Sequence, residues 1–228
     1  MNEWSKLTDP EVEALDRSLP VILPIGLIEA HGPHLESGFD AYSAGYFSRR
    51  VCEATGAILL PTIPYGFADT TWEYVSTIGV KAETLGMVIG DICCLLCHHG
   101  FKKVIVLSGH GGNGLGVALG FQRAWEKYPD LQPAYWTYYG VGGVPMSHAD
   151  ETETSIAIAI GATVHLERAK DFVMPKLWHE VSSRKALAPT SGAVNGRPTL
   201  ADRETGVAAV EQIVQVLVDK VRAVIGEP

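Results

Sequence analysis

The sequence contains no uninterrupted apolar run of about 18 residues, the length at which a membrane-spanning helix is expected. Basic residues are outnumbered, 18 Lys and Arg against 26 Asp and Glu, and the net charge is −8. With no basic stripe either, a protein that holds nucleic acid through its phosphates is excluded; neither nucleic acid nor membrane is expected as a partner. Cysteine is scarce: of four, Cys93, Cys94 and Cys97 crowd into GDICCLLCHHG and Cys52 stands apart. Cys93 and Cys97 share a helical face and His98 could add a third ligand, one short of a tetrahedral set. The surrounding LGMVIGDICCLLCHHG is apolar at helical spacing, so these cysteines read as reduced thiols packed in a core. Low-complexity linkers and internal repeats are missing, and the 24 glycines and 13 prolines carry no Gly-X-Y period, so they read as tight turns. The opening MNEWSKLTDPEVEALD is acidic and lacks an apolar signal core, which makes the cytoplasm the expected location.

What the chain does have is apolar material, 46% hydrophobic against 19% charged residues, enough for a full core and too much for a disordered tail. Its 228 residues suit one domain spanning 1–228. Thr8-Asp9-Pro10 opens a capped helix, and VILPIG (21–26) is a short apolar run bounded by turn residues, as a buried strand would be. A helix is predicted over 42–54 with Gly56 ending it, and a second strand over 57–66 broken by two prolines. Further along come a helix over 83–99, the strand KKVIVLSG (102–109), a helix over 113–128 and a weaker strand over 132–138. A short helix over 152–160, an unordered stretch over 162–199 and a long amphipathic helix over 200–225 complete the chain. Apolar strands alternating with helices predict an α/β fold, a three-layer domain with a mostly parallel central sheet.

In such folds the loops at the carboxyl ends of the strands collect the chemistry. The loop after VILPIG carries Glu29, His31, His34 and Asp40. Asp40 alone would make a good helix N-cap, but the set, clustered in a Gly- and Pro-rich loop, points to a metal site. Carboxylates mixed with imidazoles suit Zn²⁺, Mn²⁺ or Fe²⁺ rather than the all-oxygen shells of Ca²⁺ or Mg²⁺. After KKVIVL comes Ser108-Gly109-His110-Gly111-Gly112-Asn113, where glycines let the backbone approach a ligand. A phosphate-binding reading competes there, yet there is no GxxxxGK[ST] and no GxGxxG with a downstream acid at the right distance, so His110 reads better as a ligand. The third stretch, His148-Ala149-Asp150-Glu151-Thr152-Glu153, opens a helix. Its acids are of the type that complements a helix dipole; His148 has no such account and is a candidate contributor to the site.

The run LPIGLIEAHGPHLESGFD resembles the creatininase (creatinine amidohydrolase) family pattern PxGxxEQHGPHLPxxxD. LSGHGGN is similar to that family's NGHGGN, HADETETS to its HAxxxETS, and STIGVKAETL to its weaker GTISLxPETL. The resemblance implies an α/β metallohydrolase, commonly a homohexamer, with two divalent ions per subunit, drawn from Zn²⁺, Mn²⁺ and Fe²⁺. Position by position, it implies metal ligation by Glu29, His31, Asp40 and His110, with Asp40 bridging the ions and His148 shuttling protons. The family's glutamate two residues after the histidine matching His110 is replaced by Gly112, and Glu153 is the acid expected to fill that place. Other departures are Ala30, Glu36 and Ser108.

The expected function is hydrolysis of a small molecule at a cyclic amide or related C–N bond, a water acidified between the ions attacking the carbonyl. Creatinine itself is disfavoured, because GGVPMSHAD lacks the tryptophan that packs on it in creatininase proper. Expected substrate-wall residues are His34, Trp72, Glu73, Thr77 and Gly111, with Tyr74 and Trp178 as further candidates. The alternatives are ring opening of an oxidised inositol at a C–C bond, peptide trimming, a metal-binding assembly protein without turnover, and a nucleotide-binding domain.

Overall fold

The structure, a computed structural model, describes residues 1–68, 70–173 and 191–226. Trp178 lies outside the described residues. Among these residues five strands form one sheet: β1 (Asn2–Glu3), β2 (Val21–Ile25), β3 (Ile58–Leu59), β4 (Lys103–Ser108) and β5 (Gln132–Thr137), in the order β1-β3-β2-β4-β5. Every neighbouring pair is parallel. The central pair β2 and β4 is in register from Val21 opposite Val104 to Ile25 opposite Ser108.

Among the described residues six helices flank the sheet: α1 (Asp9–Glu13), α2 (Phe39–Thr55), α3 (Ala82–His98), α4 (Gly114–Lys127), α5 (Glu151–Ile160) and α6 (Arg203–Ile225). Side chains alternate across a strand, and here the two faces feed two cores. Ile22, Leu59, Ile105 and Leu107 meet Phe39 and Phe47 of α2, Ile156 of α5 and Ile213 and Leu217 of α6. Val21, Leu23, Ile25, Val104 and Val106 meet Leu85, Ile89 and Cys93 of α3 and Val117 and Phe121 of α4. This is the expected three-layer α/β arrangement.

Several element boundaries differ from expectation for identifiable reasons. The 57–66 run contributes only Ile58–Leu59 to the sheet and an isolated bridge between Ile25 and Ile63, because Pro61 and Pro64 have no N–H to donate. α2 begins three residues earlier than predicted, behind Gly38, so Asp40 sits in its first turn and not in the loop. Asp202 caps α6, its Oδ1 accepting from Thr205 N–H at 2.9 Å, and the predicted first turn at Leu200 is a separate 3-10 turn over Pro198–Leu200. β1 gives no signal in the sequence, being two polar residues. Gly56 does end α2, at φ 73.

The cysteines are packed as expected. All four are free; Cys52, Cys93 and Cys97 are buried and Cys94 is half-buried. No helix among the described residues is long and apolar enough to cross a membrane.

Candidate metal centre

The strand order places β3 on one side of β2 and β4 on the other, so the chain reverses direction across the sheet at the β2–β4 seam. Crevices at such reversals, outside the carboxyl ends of the strands, are where ligands bind in this class of fold. Gly26 follows β2 and Gly109 follows β4, and Gly109 N–H donates to Ile25 O at 2.9 Å. A Cβ on Gly26 would overlap the Asp40–Ala41 backbone, and one on Gly109 would overlap the Asp40 carbonyl oxygen. The two glycines therefore let the first turn of α2 press against the strand ends, and this brings Asp40 to the seam.

Three sets of donors converge there. Glu29, Asp40 and His110 form one, His31, Asp40 and Glu153 a second, and Glu29, His31 and His148 a third; in each set one donor atom per residue lies within 4.8 Å of the others. Asp40 belongs to two of them, one oxygen to each: Oδ1 is 3.2 Å from His31 Nε2, and Oδ2 is 3.3 Å from His110 Nδ1. Glu29 Oε2 lies 2.8 Å from His110 Nδ1, and Glu153 Oε2 lies 3.8 Å from His31 Nε2. Each of these residues except the half-buried His148 is buried.

Carbonyl oxygens fix the imidazoles, since a carbonyl can only accept. His31 Nδ1 donates to Glu29 O at 3.0 Å, His110 Nε2 to Phe67 O at 3.1 Å, and His148 Nε2 to Ala30 O at 2.8 Å. The other nitrogens of His31 and His110 are thereby turned toward carboxylate oxygens. Thr71 Oγ1 donates to Glu29 Oε1 at 2.7 Å, leaving Oε2 for the cluster. Partners of this kind orient metal-ligating side chains and set the tautomer.

Nitrogen lone pairs facing carboxylate oxygens repel unless a proton or a cation stands between them. Glu29 Oε2, His31 Nε2 and Asp40 Oδ2 are buried and have no hydrogen-bond partner among the described residues, which is the pattern that cation ligation satisfies. The electrostatics of these side chains tell the same story. Burial opposes charging His31, but Asp40, Glu153 and Glu29 outweigh it and hold its pKa at about 10. His110 rises well above its ordinary value, again against burial, through Glu29 and Asp40. Glu29 falls well below the usual carboxylate range: burial pushes it up, and His110, His148 and His31 pull it down further. Burial lifts Glu153 to about 7 in spite of His31 and His148. The cluster gathers protons where divalent ions would fit, and its nitrogen–oxygen donor set suits Zn²⁺, Mn²⁺ or Fe²⁺.

Glu153 reaches this cluster because Asp150 caps α5. Asp150 Oδ1 accepts from Glu153 N–H at 2.8 Å, and its Oδ2 accepts from Ser147 N–H at 2.6 Å. Glu153 Oε2 accepts from Ala149 N–H at 2.5 Å, with Ala149 held at φ 49, a conformation that non-glycine residues seldom adopt. The dipole-complementing role open to Glu153 from sequence thus falls largely to Asp150.

A cavity of about 270 Å³ opens onto the cluster, its wall including Glu29, Asp40, His110, His148 and Glu153. Thr70, Tyr139, Met146, Ser147 and Asn195 complete much of the remainder. Of the expected wall residues that are described, only Gly111 lines it. His34 is buried, Nε2 within 3.0 Å of Thr154 Oγ1, and burial together with His31 and His148 lowers its pKa to about 4. Thr77 Oγ1 accepts from Ala30 N–H at 3.1 Å, holding the loop that carries Glu29 and His31. Trp72 and Glu73 are exposed, and the Tyr74 hydroxyl accepts from Ala193 N–H at 2.8 Å. Sequence reading missed Thr71, Ser147 and Asn195, for which only position beside a recognised ligand or loop could have given a signal.

Comparison with known proteins follows the same line. The family model described as Creatininase, creatinine amidohydrolase, matches residues 5–221. Creatinine amidohydrolase of Pseudomonas putida is 25% identical over 230 residues, covering 89% of this chain and 88% of its own. The mycofactocin precursor peptide peptidase of Mycobacterium tuberculosis (strain CDC 1551 / Oshkosh) is 27% identical over 206 residues, covering 82% of this chain and 78% of its own. Among solved structures, a manganese creatininase superposes with a TM-score of 0.88 at 22% identity, covering 97% of each chain.

Proposed function

The chain belongs to the creatininase family of metal-dependent hydrolases, and from that premise we propose that it binds two divalent ions, one at Glu29–Asp40–His110 and one at His31–Asp40–Glu153, and hydrolyses a cyclic amide or related C–N bond. The observation that carries this reading is Asp40, which offers one oxygen to each set and so suits a bridge between two ions. Glu153 takes the place left by Gly112, since it is a buried carboxylate within reach of His31 and Asp40.

When bound, the ions supply an acidified water and polarise the substrate carbonyl. The chain does the rest. Glu29, held by Thr71, and Asp40, held between two glycines, keep the carboxylates in place without reorganisation. His148 lines the cavity, and with Nε2 committed to Ala30 O its Nδ1 can take up the proton lost by the attacking water and return it to the departing nitrogen. Protonating that nitrogen is required because an amide anion is too basic to leave. Creatinine is not the favoured substrate: the stretch before His148 presents Met146 and Ser147 to the cavity and has no tryptophan. By the same family resemblance the enzyme is a homo-oligomer, and it works on a small molecule.

Elemental analysis tests the metal assignment. Wild-type protein should carry two ions per chain, Asp40→Ala neither, and His110→Ala or Glu153→Gln one fewer than wild type. Full occupancy in Asp40→Ala sinks the reading. Screening the loaded protein against cyclic amides, formamides and oxidised inositols then identifies the substrate.

A further inference from the structure

Ser147 precedes His148 and lines the same cavity, and its surroundings give its hydroxyl a defined direction. Its N–H is fixed by the α5 cap, donating to Asp150 Oδ2 at 2.6 Å. Its Oγ accepts from Asn195 Nδ2 at 2.8 Å. Asn195 is itself anchored, its N–H donating to His148 O at 2.8 Å. The anchorage continues downstream, with Arg197 N–H on Glu151 Oε2 at 2.7 Å and Asp202 N–H on Ser155 Oγ at 2.9 Å. Gly196 lies so close to Asp150 that a Cβ there would overlap the Asp150 side chain. The segment 195–202 is thus fastened along the loop and helix that carry His148 and Glu153.

A hydroxyl has one proton and two lone pairs. Asn195 occupies a lone pair, and Ser147 Oγ donates no hydrogen bond to a described residue. Accepting one hydrogen bond also strengthens a hydroxyl as a donor. We propose that Ser147 is a specificity-determining residue, its hydroxyl donating to a second acceptor atom of the bound substrate, and that Asn195 is the positioning residue that turns it toward the cavity. The substrate class narrows accordingly to amides with a further carbonyl oxygen, ring nitrogen or hydroxyl close to the hydrolysed carbonyl. This inference rests on the hydrolase reading above.

The test compares two hydroxamates, whose hydroxamate group ligates metal, on zinc-loaded protein by calorimetric titration. Butyrohydroxamate has no second acceptor; malonamohydroxamate carries a terminal amide at the same reach. Ser147→Ala should keep its zinc and its melting temperature, bind malonamohydroxamate roughly 3–10-fold more weakly, and hold butyrohydroxamate unchanged. Ser147→Thr, which keeps the hydroxyl, should restore the preference. Asn195→Ala should give the same selective loss, and the double variant no more than either single one, since the two act as a unit. Equal behaviour of the two hydroxamates in Ser147→Ala overturns the role of Ser147, and additive losses overturn that of Asn195. Zinc-loaded wild type that holds neither hydroxamate overturns the hydrolase reading, and this inference with it.

Discussion

The main chain of Asp40 rests on Gly109: a methyl group added at residue 109 would overlap the Asp40 carbonyl oxygen. The contact joins the end of β4 to the first turn of α2, and both partners are backbone, so neither can swing aside.

Gly109→Ala should therefore push α2 off the sheet and displace Asp40. Overpacking of this kind costs about 1–3 kcal/mol. Urea denaturation should show a lower midpoint and elemental analysis a loss of metal. A variant with wild-type midpoint and full metal content would show that the seam yields more easily than the geometry allows.

His148→Ala separates ligation from proton transfer. His148 lines the cavity and shares a donor set with Glu29 and His31, yet it stands outside both sets that contain Asp40. Metal content should stay at the wild-type level while turnover of the substrate found by screening falls about 10²–10⁴-fold. If an ion is lost instead, His148 is a ligand and the proton must travel by another group.

The thiols give a check on both cores, Cys52 on the α2 face of the sheet and Cys93, Cys94 and Cys97 on the α3 face. Only thiolates react with common thiol reagents. Burial pushes Cys52 and Cys93 up to about 12 and also raises Cys97, so these thiols gain reactivity only as the pH climbs far into the alkaline range. At pH 8 the native protein should label at the half-buried Cys94 alone, with the other three labelling after unfolding. Mass spectrometry counts the adducts, and rapid labelling of Cys93 or Cys97 in native protein would mean that the α3 core opens freely.

Much of this was legible in the sequence because it lies in local pattern. Apolar runs ending in glycine mark β2 and β4, and the ligand types cluster directly behind them. The position of Asp40 was less legible, since the boundary of α2 is decided by packing on Gly26 and Gly109, which are distant in sequence from its first turn. The same holds for β1, whose Asn2 and Glu3 pair with β3 without any apolar signature. Trp72 and Glu73 looked like wall residues from their types alone, but the cavity takes Thr70 and leaves them outward. Thr71, Ser147 and Asn195 act through single hydrogen bonds between segments far apart in the chain, and no periodicity or spacing announces such bonds.

The parallel sheet has a kinetic consequence. The donors come from separate stretches around residues 29–40, 110 and 148–153, brought together only when β2 and β4 are paired and α2 and α5 are docked. Parallel pairing closes long loops before any contact rewards it, so this convergence is slow. If the side chains lock into ligand geometry only after that pairing, ions offered to the refolding chain find no finished ligand set at the transition state. They should leave the folding rate nearly unchanged and act almost wholly by slowing unfolding, which makes the loaded protein kinetically durable.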